Sequence, residues 1–179
     1  MERGRRNRQT MKDLIILRGL PGVGKSHRAR QLLDEYRRLG IQGKIYSTDR
    51  YHEKFDWDTR YFHRNHTWTR RDVFVAMQRG VTPIIVDNTN IYRWHMYPYV
   101  FMGKQRGDYY ITIEEVPRGY PETFISLNKL YRRCKRNIPK WKFREYRDGW
   151  EEVDHYQDVL NDEFSLKRWE RSREKWNFY

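Results

Sequence analysis

Only one cysteine, Cys134, occurs in 179 residues, so neither an intrachain disulfide framework nor a cysteine-based zinc finger can form. A lone thiol is compatible with a reducing compartment, and the expected location is intracellular, cytoplasm or nucleus. Alanine is nearly missing, with Ala29 and Ala76 alone. No stretch approaches the ~18 apolar residues of a membrane helix, so no membrane partner is expected. Acids are the minority sign: 24 Asp and Glu stand against 37 Lys and Arg, a formal net charge of +13. Residues 1–12 have no apolar segment, which argues against a secretory signal and for a basic, disordered arm. The Asn65-His66-Thr67 sequon is then incidental.

What the chain has in quantity is rings. Hydrophobic residues make up 37% of the chain and aromatics 16%. Each buried aromatic removes roughly 150–250 Å² from water, so a core can still be built. The length fits one domain. The expected division is the arm 1–12, a domain over 13–164, and a helix or tail over 165–179. The cations cluster: residues 129–149 hold nine basic and two acidic side chains, interleaved with Tyr131, Trp141, Phe143 and Tyr146. A groove for a phosphate backbone has that composition; a solvated helix face is the plain alternative.

Apolar runs and amphipathic runs alternate. Strands are expected at 13–18, 43–47, 82–86 and 109–116. Helices are expected at 25–39, 69–79, 92–105 (with a kink or restart at Pro98), 121–133 and over most of 140–164. Residues 50–64 are polar, aromatic and poorly periodic, and read as a loop or short helical turns. The alternation predicts an α/β fold, a parallel sheet of four to five strands flanked by helices.

Between the first strand and the first helix lies Gly19-Leu20-Pro21-Gly22-Val23-Gly24-Lys25-Ser26. It fits G-x-x-x-x-G-K-[ST] in the strand–loop–helix context that the pattern requires. The glycines allow a tight turn whose amides point inward, and the helix N-terminus adds partial positive charge. Lys25 can reach the β- and γ-phosphates, and Ser26 can ligate Mg²⁺. The expected cofactors are ATP or GTP and Mg²⁺. Asp49 follows the second strand, and is expected at the carboxyl end of a strand neighbouring the phosphate loop. There it would deprotonate or orient an attacking hydroxyl; a helix-capping aspartate is the plain alternative. Asp87 ends the third strand, where it would bind Mg²⁺ or position substrate. Capping by Asn88 or Asn90 is the alternative for that turn.

These segments resemble the P-loop polynucleotide 5′-hydroxyl kinases of phage and eukaryotic proteins. The resemblance covers roughly residues 12–154. It rests on the phosphate loop, Ser47-Thr-Asp-Arg-Tyr51, His66-Thr-Trp68, Ala76-Met-Gln-Arg-Gly80, Pro83-Ile-Ile-Val-Asp-Asn-Thr-Asn-Ile91 and Met96-Tyr-Pro-Tyr-Val100. It implies that Asp49 is the general base. It implies a lid whose Arg132, Arg133 and Arg136 contact the nucleotide phosphates, and an acceptor side formed by Arg50, His52, Asp87, Asn88, Thr89 and Asn90. The chain departs from the family at His27, where many relatives have Thr, and at Asp49-Arg50, where relatives often have two acids. It departs again at His52, where the phage enzyme has an acceptor-binding arginine. The implied activity is transfer of an NTP γ-phosphate to 5′-hydroxyl ends of DNA or RNA. The alternatives are a P-loop small-molecule kinase (nucleotide sugar or nucleoside) and a silent nucleic-acid-binding NTP module. Oligomeric state is left open.

Overall fold

The structure is a computed structural model and describes residues 11–119, 125–134 and 138–176. Four strands form one parallel sheet among the described residues: β1 (Lys12–Arg18), β2 (Lys44–Tyr46), β3 (Ile84–Asp87) and β4 (Tyr109–Glu115), in the order β2-β3-β1-β4. The helices are α1 (Lys25–Arg38), α2 (Asp49–Lys54), α3 (Phe62–Gln78), α4 (Arg93–Arg106), α5 (Leu127–Arg133), α6 (Lys140–Asp148), α7 (Tyr156–Leu160) and α8 (Glu163–Trp176).

Both faces of the sheet are covered, which is why β1 and β3 read as unbroken apolar runs. Side chains alternate along β1. Leu14 and Ile16 join Val73, Met77, Met96 and Val100 on the α3–α4 face. Ile15 and Leu17 join Ala29, Leu32 and Leu33 of α1 on the other. Each such fully buried aliphatic chain contributes about 1.5–3 kcal/mol. A third cluster, Leu20, Ile91, Leu130 and Phe143, sits at the phosphate-loop end and joins that loop to α5 and α6.

Several boundaries differ from expectation, each for a physical reason. β2 lies beside β3, not β1, so β3 separates the strand leading to Asp49 from the phosphate loop. α3 begins seven residues earlier than residue 69. Its first turns face a ring cluster rather than an aliphatic core, so their pattern is aromatic and polar. Phe62 packs on His52 at 4.2 Å, and Arg64 sits over Phe55, Tyr61 and Trp68. α4 runs through Pro98 without a restart, because Met96, Tyr97, Pro98, Tyr99 and Val100 are all buried. That burial offsets the ~3 kcal/mol a helical proline costs. The mostly helical 140–164 stretch holds α6, α7 and the start of α8. Its non-helical connector around Glu151 is held by Arg18, whose Nη2 donates to the Glu151 carbonyl at 2.7 Å. The expected helix over 121–133 is observed from Leu127; residues 121–124 lie outside the described residues.

Candidate active site

The phosphate loop leaves β1 at Arg18 and enters α1 at Gly24. Gly24 is the N-cap in the left-handed region (φ 105°) and supplies no side-chain cap, so the first amides of α1 stay open to an anion. At Gly22 (φ 82°) a Cβ would lie 2.6 Å from the Leu130 carbonyl. No larger residue fits beneath α5 there. Leu20 turns away from the loop into the third cluster. Lys25 is 4% exposed and its Nζ donates to the Leu20 carbonyl at 3.0 Å, so the ammonium lies across the loop.

Ser26 Oγ donates to Asp87 Oδ2 at 2.7 Å. Register explains the meeting: Asp87 pairs with Leu17 across β3–β1, one step before the loop. The next residue carries the connection outward, as Asn88 Oδ1 accepts from the Thr48 amide at 2.9 Å. Asn88 also bonds the buried Tyr99 phenol, whose pKa desolvation raises to about 12. Thr48 is the N-cap position of α2 and Asp49 its first residue, so Asp49 is not the cap. Asp49 is partly exposed, and its amide donates to Ser47 Oγ at 3.3 Å. Ser26, Asp87, Asn88, Thr48 and Asp49 thus form one connected series along the carboxyl edge of the sheet.

The remaining anticipated residues separate by burial. Arg50 is exposed beside Asp49. His52 is 6% exposed, bonded through Nδ1 to Asn65 Nδ2 and ringed by Trp57 and Phe62; it packs the α2–α3 hairpin. Thr89 accepts from the Gly19 amide through its carbonyl. Asn90 is 2% exposed at φ 47°, and its amide donates to the Leu17 carbonyl rather than capping α4. The α4 cap is Tyr92 with His95. Arg132 and Arg133 are exposed in the last turn of α5, above Gly22; Arg136 lies outside the described residues. Trp68 packs against Tyr51 and Phe55. His66 approaches Thr48 Oγ1 at 3.3 Å. Desolvation by its neighbours, then the Arg70 charge, hold its imidazole below the ordinary value.

Sequence reading missed two features. Arg18 is fully buried, donates to the carbonyls of Asn90, Ile91 and Glu151, and lies 3.8 Å over the Trp150 ring. It fastens the loop after β3. Burial lowers its pKa to about 10 against the pull of Glu115 and Glu151, leaving it charged at neutral pH. The second feature is a cleft of about 680 Å³ between α3, the 88–92 loop, α4, α6 and α8. Its walls carry Arg70, Lys142, Arg168 and Arg171 against a single acid, Glu145, which is paired to Lys142 at 2.7 Å. No local signal in the sequence brings α8 to α3.

Strand, phosphate cradle, helix and acid-ended third strand define a P-loop protein of kinase-like fold. The chain belongs to the AAA domain family, whose model matches residues 14–118. It is 33% identical over 153 residues to NEDD4-binding protein 2 of Homo sapiens; the match covers 83% of this chain and 8% of that protein. In the structure of the Pnkp1/Rnl/Hen1 RNA repair complex, one chain matches with a TM-score of 0.62 at 18% identity, over 88% of this chain and 48% of that one. The crystal structure of APE1195 matches with a TM-score of 0.54 at 18% identity, over 89% and 96%. At such identities the likeness is one of fold. No helix among the described residues is long and apolar enough to cross a membrane.

Proposed function

We propose that this protein is a polynucleotide kinase that moves the γ-phosphoryl group of ATP or GTP to the 5′-hydroxyl end of DNA or RNA. The observation that carries the reading is the series from Ser26 through Asp87 and Asn88 to Thr48, which sets Asp49 along the same sheet edge as the phosphate loop. The motif resemblance and the net charge of +13 support a polyanionic acceptor.

The amides of residues 19–26 and the Lys25 ammonium hold the phosphates. Asp49 accepts the proton of the 5′-hydroxyl as its oxygen bonds to the γ-phosphorus. The bond from that phosphorus to the β–γ bridging oxygen breaks, and its electron pair leaves on the nucleoside diphosphate. Arg132, Arg133 and Arg136 match the lid arginines of the resembling kinases, and in this reading they neutralise charge on the transferring group. Arg50, exposed beside Asp49, is suited to an acceptor phosphate; the buried His52 is suited to fixing the hairpin. Asn88, Thr89 and Asn90 shape the acceptor side. The oxygens of Ser26 and Asp87 are hard donors 2.7 Å apart, and fit Mg²⁺. No group of three or more His, Cys, Asp or Glu that could cage a metal exists among the described residues, so phosphates and water would complete the shell. When bound, the ion supplies charge neutralisation at the phosphate oxygens.

The test supplies γ-labelled ATP or GTP with Mg²⁺, and 5′-hydroxyl oligonucleotides beside nucleosides and nucleotide sugars, with Lys25→Met as control. Label on oligonucleotide ends is expected. Label on small acceptors alone supports a metabolite kinase, and strand binding without transfer a silent module.

A further inference from the structure

α8 lies outside the span of the family model, yet it forms a wall of the cleft described above. It is firmly seated. Asp162 caps it by accepting from the Ser165 amide, and Trp169, 8% exposed, packs 5.9 Å from Phe101 of α4. The helix therefore presents Arg168 and Arg171 to the cleft from a fixed position. Both are exposed, and among the described residues neither is paired with a carboxylate. Arg168 lies 3.8 Å over the Trp94 ring, and Trp94 is parallel to Tyr92 within 5°. The floor is the Asn88–Thr89–Asn90 turn, and His66 in the wall touches Thr48, the residue before Asp49.

We infer that this cleft holds the nucleotides that follow the reacting 5′ end of a single strand, with Arg168 and Arg171 of α8 on backbone phosphates and Tyr92 and Trp94 against bases. The inference rests on the proposed kinase reading and adds to it a strand-binding role for α8. Arginines without carboxylate partners, interleaved with aromatic faces, are the composition of a single-strand groove. A cleft of about 680 Å³ has the size of a small-ligand site. Its ring faces suit unpaired bases, so the occupant we infer is a single-stranded 5′ extension.

The experiment compares the full chain with Arg168→Gln/Arg171→Gln, and with Arg168→Lys/Arg171→Lys. Two acceptors are used: a ten-nucleotide 5′-hydroxyl strand and a nucleoside 3′-monophosphate, the shortest piece with a 5′-hydroxyl and one backbone phosphate. Both positions are exposed, so folding should persist; circular dichroism and fluorescent-ATP binding verify it. In the glutamine variant, the preference (ratio of kcat/KM) for the long strand over the monophosphate should fall about tenfold. The slope of log affinity for the strand against log salt should shrink by about 0.7 for each backbone phosphate that the variant no longer neutralises, and the lysine variant should restore it. An unchanged acceptor ratio and salt slope, with wild type labelling the strand, overturns the inference alone. Wild type that labels neither acceptor overturns the kinase reading and this inference together.

Discussion

Ser26 Oγ and Asp87 Oδ2 are 2.7 Å apart, joining the first turn of α1 to the end of β3. One residue beyond Asp87, Asn88 takes the Thr48 amide and so fixes the start of α2. The two hydrogen bonds bring three separate loops to one edge. The proposed chemistry depends on that alignment.

Ser26→Ala and Asp87→Asn each remove an oxygen donor or its charge from the proposed Mg²⁺ position. The apparent Mg²⁺ requirement for label transfer should rise by about 10–100-fold in either variant, with the fold intact. A magnesium titration of transfer rate checks this. An unchanged requirement in both would remove the assignment.

Phe143 of α6 is 1% exposed and shares its cluster with Leu20 of the phosphate loop. Phe143→Ala should lower stability by about 3–5 kcal/mol through the cavity it leaves. It should also raise KM for the nucleotide, because α5 and α6 lose their anchor on the loop. Urea unfolding and nucleotide binding measure the two effects. Lost stability with unaltered nucleotide affinity would uncouple the lid from the loop.

Arg18→Met would strip three carbonyls of their donor and leave Glu115, 3.7 Å from the Arg18 guanidinium, without its partner. Glu115 keeps 23% exposure, so the main loss is the orphaned carbonyls, at about 1–3 kcal/mol each where buried. The variant should unfold at correspondingly lower urea. Wild-type stability in Arg18→Met would contradict the fastening role given to this residue.

Burial pushes the His95 pKa down to about 3, with Arg168 adding to the effect, and His66 is lowered in the same direction. In the unfolded chain both protonate near the ordinary ~6.5. Below that value the unfolded state binds more protons, so stability falls as pH drops, and the window extends down toward the His95 folded value. His95 contributes a slope of up to about 1.4 kcal/mol per pH unit. Urea unfolding from pH 7.5 to 5 should show the decline, and His95→Gln should flatten it. Equal slopes in the two proteins would mean that His95 does not drive it.

The phosphate loop and Asp87 are legible in the sequence because their signals are local: glycines, a lysine and a serine at fixed spacing, each after an apolar strand. The strand–helix alternation is legible for the same reason. The hidden parts depend on partners distant in sequence. Arg18 bonds residues 72, 73 and 133 positions away, and nothing beside it in the sequence announces them. β2 pairs with β3 across an intervening hairpin of helices, so its separation from β1 is a property of topology. The early start of α3 is masked because rings, not aliphatic residues, cover its first turns. His52 reads as available for a ligand because its burial comes from Trp57, Phe62 and Asn65. The α8 wall requires the folded chain to bring Arg168 onto Trp94.

The most direct test is single-turnover phosphoryl transfer to a 5′-hydroxyl strand by Asp49→Asn, with nucleotide affinity measured on the same protein. A general base at this position predicts a rate lowered by about 10²–10⁴-fold at unchanged nucleotide affinity. Transfer at the wild-type rate would contradict it, and would remove Asp49 from the chemistry.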